Sequence, residues 1–145
     1  MRSRWVLVAL VLVTVIFITA GPGPVQAQGK KKVFQISMVS FKFTPNLIQV
    51  NQGDTVVLQF LNDDPAGRNH SFASRLMLRI PYTVRGTYRT GIDDERRFFA
   101  SEPGQRFEVE FVATERGSFS FVCEVFDHGA RGQTGAINVL LPAEP

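Results

Sequence analysis

Few residues in this chain have the chemistry of a reactive or metal-binding site, and most of them lie near its end. Cys123 is the only cysteine, and His70 and His128 are the only histidines. Four residues separate Cys123 from His128, and four more separate His128 from Gln133. A loop of this length can fold back and present three side chains to one point. Thiolate and imidazole groups together suit copper or zinc, so the spacing predicts a metal site.

The second imidazole of such a site can come only from His70, because the sequence offers no third histidine. Two imidazoles and a thiolate in a trigonal set, with a weak fourth ligand, form the blue-copper electron-transfer site. The same donors with water also form a zinc site, which leaves zinc as an alternative. A single buried cysteine is usually an inert apolar residue. The joint placement of Cys123, His70 and His128 favours metal binding.

Short runs of alternating apolar and polar residues must position these side chains. They recur from Lys32 onward, between turn residues, which is typical of an antiparallel β sandwich. Phe119, Phe121 and Cys123 share one face of such a run, so the thiol points into the sandwich. The segment 75–103 has no readable pattern. The predicted strand regions are 33–43 with a kink or bulge near residue 40, 47–50, 55–61, 106–112, 117–123 and 136–141.

The segment 1–27 has the layout of a secretory signal peptide. Arg2 and Arg4 form a basic tip, an apolar run covers 5–20, and small residues lead to a predicted cleavage point after Ala27. The apolar run is shorter than the roughly 20 residues that a spanning helix needs. An uncleaved anchor is the alternative, and membrane association depends on it. The segment 28–145 is predicted to be one domain, exported to the periplasm or outside the cell.

The charge balance and the cysteine count of the chain limit which partners and which stabilising bonds it can have. Without Arg2 and Arg4, 14 of the 16 basic residues remain against 13 acidic ones, so no nucleic-acid partner is expected. One cysteine cannot form an internal disulfide, and stability must come from packing. The arginine-rich segment 75–97 is predicted to dock a redox partner protein through complementary charge, with an ordinary solvated surface as the alternative. We expect a monomer.

These motifs resemble the cupredoxin family over nearly all of the segment 28–145. The matching stretches are Asn69-His-Ser-Phe72 and Phe119-Ser-Phe-Val-Cys-Glu-Val-Phe-Asp-His128, followed by Thr134-Gly-Ala-Ile-Asn-Val139. The resemblance implies an all-β, Greek-key β sandwich that binds one copper ion through His70, Cys123 and His128.

The sequence departs from the family pattern at the axial position. Where cupredoxins usually have methionine, two residues before the glycine that ends the loop, this chain has Gln133. The stellacyanin branch also has glutamine at this spacing, so the resemblance implies Gln133 as the axial ligand, with a polar loop residue that faces solvent as the alternative. That branch carries a disulfide, which a single cysteine excludes, and the analogy therefore covers the ligand alone.

The expected function is one-electron transfer by a copper ion that cycles between Cu(I) and Cu(II). The chain lacks the further histidine pairs of a multicopper oxidase and the second cysteine of a purple-copper site. Because no other catalytic constellation is present, we do not expect an enzyme. Three alternatives are a copper carrier or buffer, a metal-free interaction module, and a red-copper protein or small copper enzyme. In the last case Glu124 or water would complete an open coordination position.

Overall fold

The computed structural model describes residues 29–143, and the predicted signal segment 1–27 lies outside them. A short 3-10 helix, Arg75–Leu78, lies between the fifth and sixth strands. The strands of the described part are β1 (Lys31–Val39), β2 (Lys42–Thr44), β3 (Leu47–Asn51), β4 (Thr55–Asn62), β5 (His70–Ser74), β6 (Tyr82–Gly86), β7 (Arg89–Asp93), β8 (Arg96–Ser101), β9 (Arg106–Val112), β10 (Gly117–Val122) and β11 (Thr134–Leu140).

The strands form two sheets that pack face to face. The first sheet has the order β2-β1-β4-β9-β6, and the second has the order β3-β11-β10-β5-β8-β7. Most neighbouring strands are antiparallel, while β1 with β4 and β3 with β11 are parallel. The predicted all-β, Greek-key sandwich is confirmed. Within residues 29–143, no helix has the length and apolar character needed to cross a bilayer.

Phenylalanine side chains from both sheets fill the core. In the first sheet Phe60 lies opposite Phe107, and their rings stack at 4.7 Å. Phe72 of the second sheet lies 4.8 Å from Phe60 and 5.4 Å from Phe121, measured between ring centroids. Each fully buried ring contributes roughly 1.5–3 kcal/mol through removal of apolar surface from water. The strand pair β5 and β10, which leads to the candidate site, is therefore anchored in the core.

The region 33–43 differs from its prediction. Instead of one strand with a bulge, it forms the hairpin of β1 and β2, in which Met38 lies opposite Phe43. Both side chains are buried in the core. The phase change in the sequence marks a chain reversal that returns to the same apolar face, so the predicted kink or bulge is wrong. The hairpin places Ser40 beside the loop that follows β4. It places Phe41 beside His128.

The unassigned segment 75–103 contains the 3-10 helix and three strands. Ser74 begins the helix, and its Oγ accepts a hydrogen bond from the Leu76 N–H. Strand β6 joins the first sheet, whereas β7 and β8 extend the second. Because β8 and β10 flank β5, all five residues of β5 are buried. His70 at the start of β5 is thereby fixed in a solvent-free position.

A buried carboxylate ties the ends of several strands together. Asp54 accepts hydrogen bonds from the Lys30 N–H at 2.9 Å and the Asn51 N–H at 2.8 Å, and its other contact is Lys32 Nζ at 2.9 Å. Burial alone would raise the pKa of Asp54, but these hydrogen bonds lower it below 3.8. Asp54 therefore remains ionised and holds the N-terminal part of β1 against the β3–β4 turn.

Candidate metal centre

The pairing of β5 with β10 brings the distant parts of the site together. Phe121 lies opposite Ser74 and Val122 opposite Ala73. Continuing this antiparallel register by one residue places Cys123 opposite Phe72, and from there its sulfur contacts Ser71 and His70 at the start of β5. The fold thus joins two sequence positions 53 residues apart.

Backbone hydrogen bonds hold the loop 123–133 in a compact shape. The Cys123 N–H donates to the Gln133 carbonyl at 3.0 Å, and the Gln133 N–H donates to the His128 carbonyl at 3.0 Å. The His128 N–H donates to the Val125 carbonyl at 3.1 Å. These bonds turn the side chains of Cys123, His128 and Gln133 toward one point.

The three nitrogen and sulfur donors lie within bonding reach of one ion. Cys123 Sγ is 3.9 Å from His70 Nδ1 and 3.6 Å from His128 Nδ1, and all three donor atoms lie within 4.8 Å of one another. Metal bonds of about 2.0 Å to nitrogen and about 2.3 Å to sulfur, meeting at about 120°, separate such donors by about 3.7 Å. All three residues are buried. The donor set therefore fits a single metal ion.

Gln133 lies at the same point and is fully buried. Its Oε1 is 2.9 Å from His70 Nδ1, so the amide oxygen faces the donor cluster. Glu124, the other candidate for a fourth ligand, has its Oε1 3.0 Å from an Arg96 guanidinium nitrogen. Of the two side chains, Gln133 has an oxygen directed at the cluster, and Glu124 is engaged in an ion pair.

Comparison with known proteins identifies the metal. Residues 30–140 match the copper binding proteins of the plastocyanin/azurin family. The chain belongs to this family. Since its members bind copper, His70, Cys123 and His128 of this cupredoxin form a candidate site for a single copper ion.

Solved structures share the fold at low sequence identity. Dithionite-reduced auracyanin from Roseiflexus castenholzii is similar with a TM-score of 0.57 and 17% identity, over 77% of this chain and 98% of that one. Auracyanin A of Chloroflexus aurantiacus, a "blue" copper protein, gives a TM-score of 0.52 and 16% identity, over 75% and 98%. These likenesses concern the fold.

A curated relative is much longer. A multicopper oxidase of Staphylococcus aureus is 27% identical over 103 residues, which are 68% of this chain and 23% of the oxidase. The chain thus spans less than a quarter of that protein's length.

Two hydrogen bonds around the cupredoxin's sulfur atom were not anticipated from the sequence. The Ser71 N–H donates to Cys123 Sγ at 3.3 Å, and Ser71 Oγ lies 3.7 Å from the same sulfur. Ser71 Oγ in turn accepts from the Glu124 N–H at 2.8 Å. Hydrogen bonding around the cysteine sulfur is one of the factors that tune a blue-copper potential. Ser71 directly follows His70, and this adjacency was the only signal available in the sequence.

His128 is covered on its outer side by an aromatic ring. Phe41 packs edge-on against the His128 imidazole with 5.0 Å between ring centroids, and the Arg131 guanidinium stacks 3.7 Å above Phe41. Burial and the nearby charge of His70 lower the pKa of His128. A neutral His128 keeps its Nδ1 lone pair available to a metal ion.

The arginines of segment 75–97 are largely paired with acids. The pairs are Arg75 with Glu95, Arg79 with Glu115, Arg85 with Glu108, and Arg96 with Glu124. Pairing of this kind reduces the net charge that the segment presents to a partner. Arg96 also links the segment to the ligand loop, because Glu124 directly follows Cys123. Docking of a partner here stays a prediction.

Proposed function

We propose that this cupredoxin is an exported one-electron carrier whose copper ion is bound by His70, Cys123 and His128, with Gln133 as axial ligand. The observation that supports it most is the convergence of one thiol and two imidazole nitrogens within 4.8 Å in a buried position. A copper ion at this site supplies the Cu(I)/Cu(II) couple, which takes up and releases one electron. Export rests on the signal-like segment 1–27.

The protein's part in this function is to hold the donors still. Cys123 directly follows β10, which is hydrogen-bonded on both sides, and His70 begins a fully buried strand. The loop 123–133 is closed by its own backbone bonds. Donors fixed in this way need little rearrangement when the charge of the site changes, and small rearrangement favours rapid electron transfer.

The surroundings also keep water and protons out of the site. His70 and Gln133 are both fully buried, and Phe41 covers the outer face of His128. The Ser71 N–H donates to the sulfur and offsets part of the thiolate charge. Charge at the site is thus balanced by fixed groups, and no proton transfer has to accompany the electron.

We place the redox partner near segment 75–97. Support comes from Arg96, which contacts Glu124 beside Cys123 and so connects the arginine-rich segment to the ligand loop.

The experiment is a titration of purified protein with Cu(II), followed by visible spectroscopy and voltammetry. We expect one copper per chain, a strong thiolate-to-copper charge-transfer band and a reversible one-electron wave. Cys123→Ser should abolish the band, while His70→Ala and His128→Ala weaken copper binding. The exposed Ser118 on β10 provides the control, and Ser118→Ala should leave all three properties unchanged.

Other outcomes point to other functions. A colourless protein that still binds copper contradicts a blue or red site. An irreversible wave, together with rapid loss of copper to a chelator, indicates a copper carrier or buffer instead. Failure to retain copper at all indicates a metal-free interaction module.

A further inference from the structure

A buried carboxylate touches the imidazole of His70 on the side away from the donor cluster. Asp64 Oδ2 lies 2.7 Å from His70 Nε2, and the two side chains are 1% and 0% exposed. A carboxylate so completely removed from water requires strong hydrogen-bonding partners. Hydrogen-bond donors face both of its oxygens, and such donors favour the charged carboxylate form.

The position of Asp64 is built into the fold by bonds that do not involve His70. Ser40 Oγ, from the turn between β1 and β2, donates to Asp64 Oδ2, and the Ala66 N–H donates to Oδ1 at 2.7 Å. The fully buried Asn62 accepts from the Asp64 N–H at 3.3 Å. Asn62 also donates to the Ser101 carbonyl at 2.9 Å, at the end of β8. Ser40 and Ala66 thus hold the carboxylate, and Asn62 holds the Asp64 backbone against the end of β8.

This anchoring has a direct chemical effect on His70. A neutral imidazole has one N–H and one lone pair, and the partner of the N–H decides which nitrogen can bind a metal. With the Nε2 proton held by Asp64, Nδ1 is the nitrogen left to bind a metal ion, and it lies 3.9 Å from Cys123 Sγ. A carboxylate partner also makes the imidazole a stronger electron donor.

We propose that Asp64 is a positioning residue that holds His70 in the Nδ1-binding orientation and lowers the reduction potential of the copper site. The potential falls because a buried negative charge stabilises Cu(II) more than Cu(I). The part of this proposal that concerns potential rests on the proposed electron-transfer function. The part that concerns orientation does not.

The first test compares two neighbouring aspartates by voltammetry of the copper-loaded protein. Asp64→Asn keeps an acceptor for His70 but removes the charge, so the potential should rise. Asp63→Asn removes the same charge from an exposed residue whose Oδ1 accepts from Ser37 Oγ at 2.7 Å. For similar separations, effective dielectric constants of about 20 in the interior and about 80 in water make the Asp64→Asn shift roughly fourfold larger. Equal shifts for the two variants would overturn the effect on potential.

The second test uses zinc-loaded protein and does not depend on redox activity. In wild type, NMR should detect a slowly exchanging His70 Nε2–H proton, and Asp64→Asn should retain it. Asp64→Leu should lose it and bind zinc about 10–100-fold more weakly, the usual cost of removing a partner of a metal-binding histidine. Asp63→Leu is the control and should match wild type.

The outcomes separate the two ideas. An Nδ1–H proton on His70 in the zinc form, or an unchanged Nε2–H in Asp64→Leu, overturns the positioning role. A wild-type protein with a protected Nε2–H but no reversible copper wave retains the positioning role and refutes the electron-transfer function. Circular dichroism checks each fold. Should Asp64→Leu fail to fold, the His70 tautomer in zinc-loaded wild type tests the orientation, and the voltammetry of Asp64→Asn tests the effect on potential.

Discussion

Gly135, at the start of β11, is expected to tolerate no side chain. A methyl group built on it would lie 2.2 Å from the Phe121 ring and 2.4 Å from the Asn46 carbonyl oxygen. Both distances are far below van der Waals contact, and one of the two neighbours is backbone. Gly135→Ala must therefore displace the Phe121 ring, the strand β11, or both.

The contacts that would be lost set the size of the effect. Overpacking a filled core costs about 1–3 kcal/mol. The Asn46 carbonyl accepts a hydrogen bond from the Ala136 N–H at 2.8 Å, and disturbing it adds about 0.5–1.5 kcal/mol. We expect Gly135→Ala to lower the free energy of unfolding by about 2–4 kcal/mol. At about 4 °C per kcal/mol for a domain of this size, the melting temperature falls by roughly 8–16 °C.

Chemical denaturation of the metal-free protein, followed by circular dichroism, measures this change. Phe121→Leu in the Gly135→Ala background supplies the control, because a smaller side chain relieves the ring contact but leaves the carbonyl contact. The double variant should recover about 1–2 kcal/mol relative to additive costs. A loss below about 0.5 kcal/mol in Gly135→Ala would refute the reasoning, since it would mean that β11 and the ring move apart freely.

Four further outcomes are expected. Gln133→Met should raise the reduction potential, because a thioether favours Cu(I) more than an amide oxygen does. Voltammetry of wild type, Gln133→Met and Gln133→Ala measures the effect. Identical potentials for all three proteins would exclude Gln133 as a ligand. The metal-free protein should be folded, and an unfolded circular dichroism spectrum would contradict this expectation. Free copper at 100–1,000 times its dissociation constant should stabilise the folded state by about 2.7–4.1 kcal/mol, measured as a higher melting temperature. Because the pKa of Asp54 is lowered in the folded state, its stabilising effect is present above pH 3.8 and is lost as the pH falls through the folded-state value. Denaturation measured between pH 7 and pH 2 should show a smaller loss in Asp54→Asn than in wild type. Phe41→Ala should uncover His128 and speed copper loss to a chelator, whereas Phe126→Ala, at a side chain that is 97% exposed, should not.

Most of the fold follows from alternation in the sequence, because strands with one face in the core carry a period of two. The strand β9 coincides with its prediction, and β4 and β10 differ by one residue at one end. The strands β6 and β7 lacked this signal, since most of their residues remain exposed. The 33–43 region shows a second limit: a phase change alone cannot distinguish a bulge from a tight hairpin.

The donors of the site were recognisable because Cys123, His70 and His128 are rare residue types in a family-like order. Asp64 and Ser71 could not be recognised from the sequence as residues of the site. Asp64 lies in a polar stretch that is typical of a solvated loop, and its burial results from the folding of that loop under the β1–β2 turn. The hydrogen bond from the Ser71 N–H depends on backbone direction, which residue type does not encode.

The origin of the donors on two remote parts of the chain has a consequence for assembly. Cys123 and His128 belong to one loop, but His70 lies 53 residues before Cys123 and joins it only when β5 pairs with β10. Closing so long a segment is an entropic cost that is met late in folding. In the unfolded chain, only Cys123 and His128 are close enough to bind the same ion. Binding there lacks the third metal–ligand bond and is therefore weaker than binding to the folded protein. Loading should therefore follow acquisition of the native topology, and the rate of tight binding during refolding should report the moment when the central strands associate.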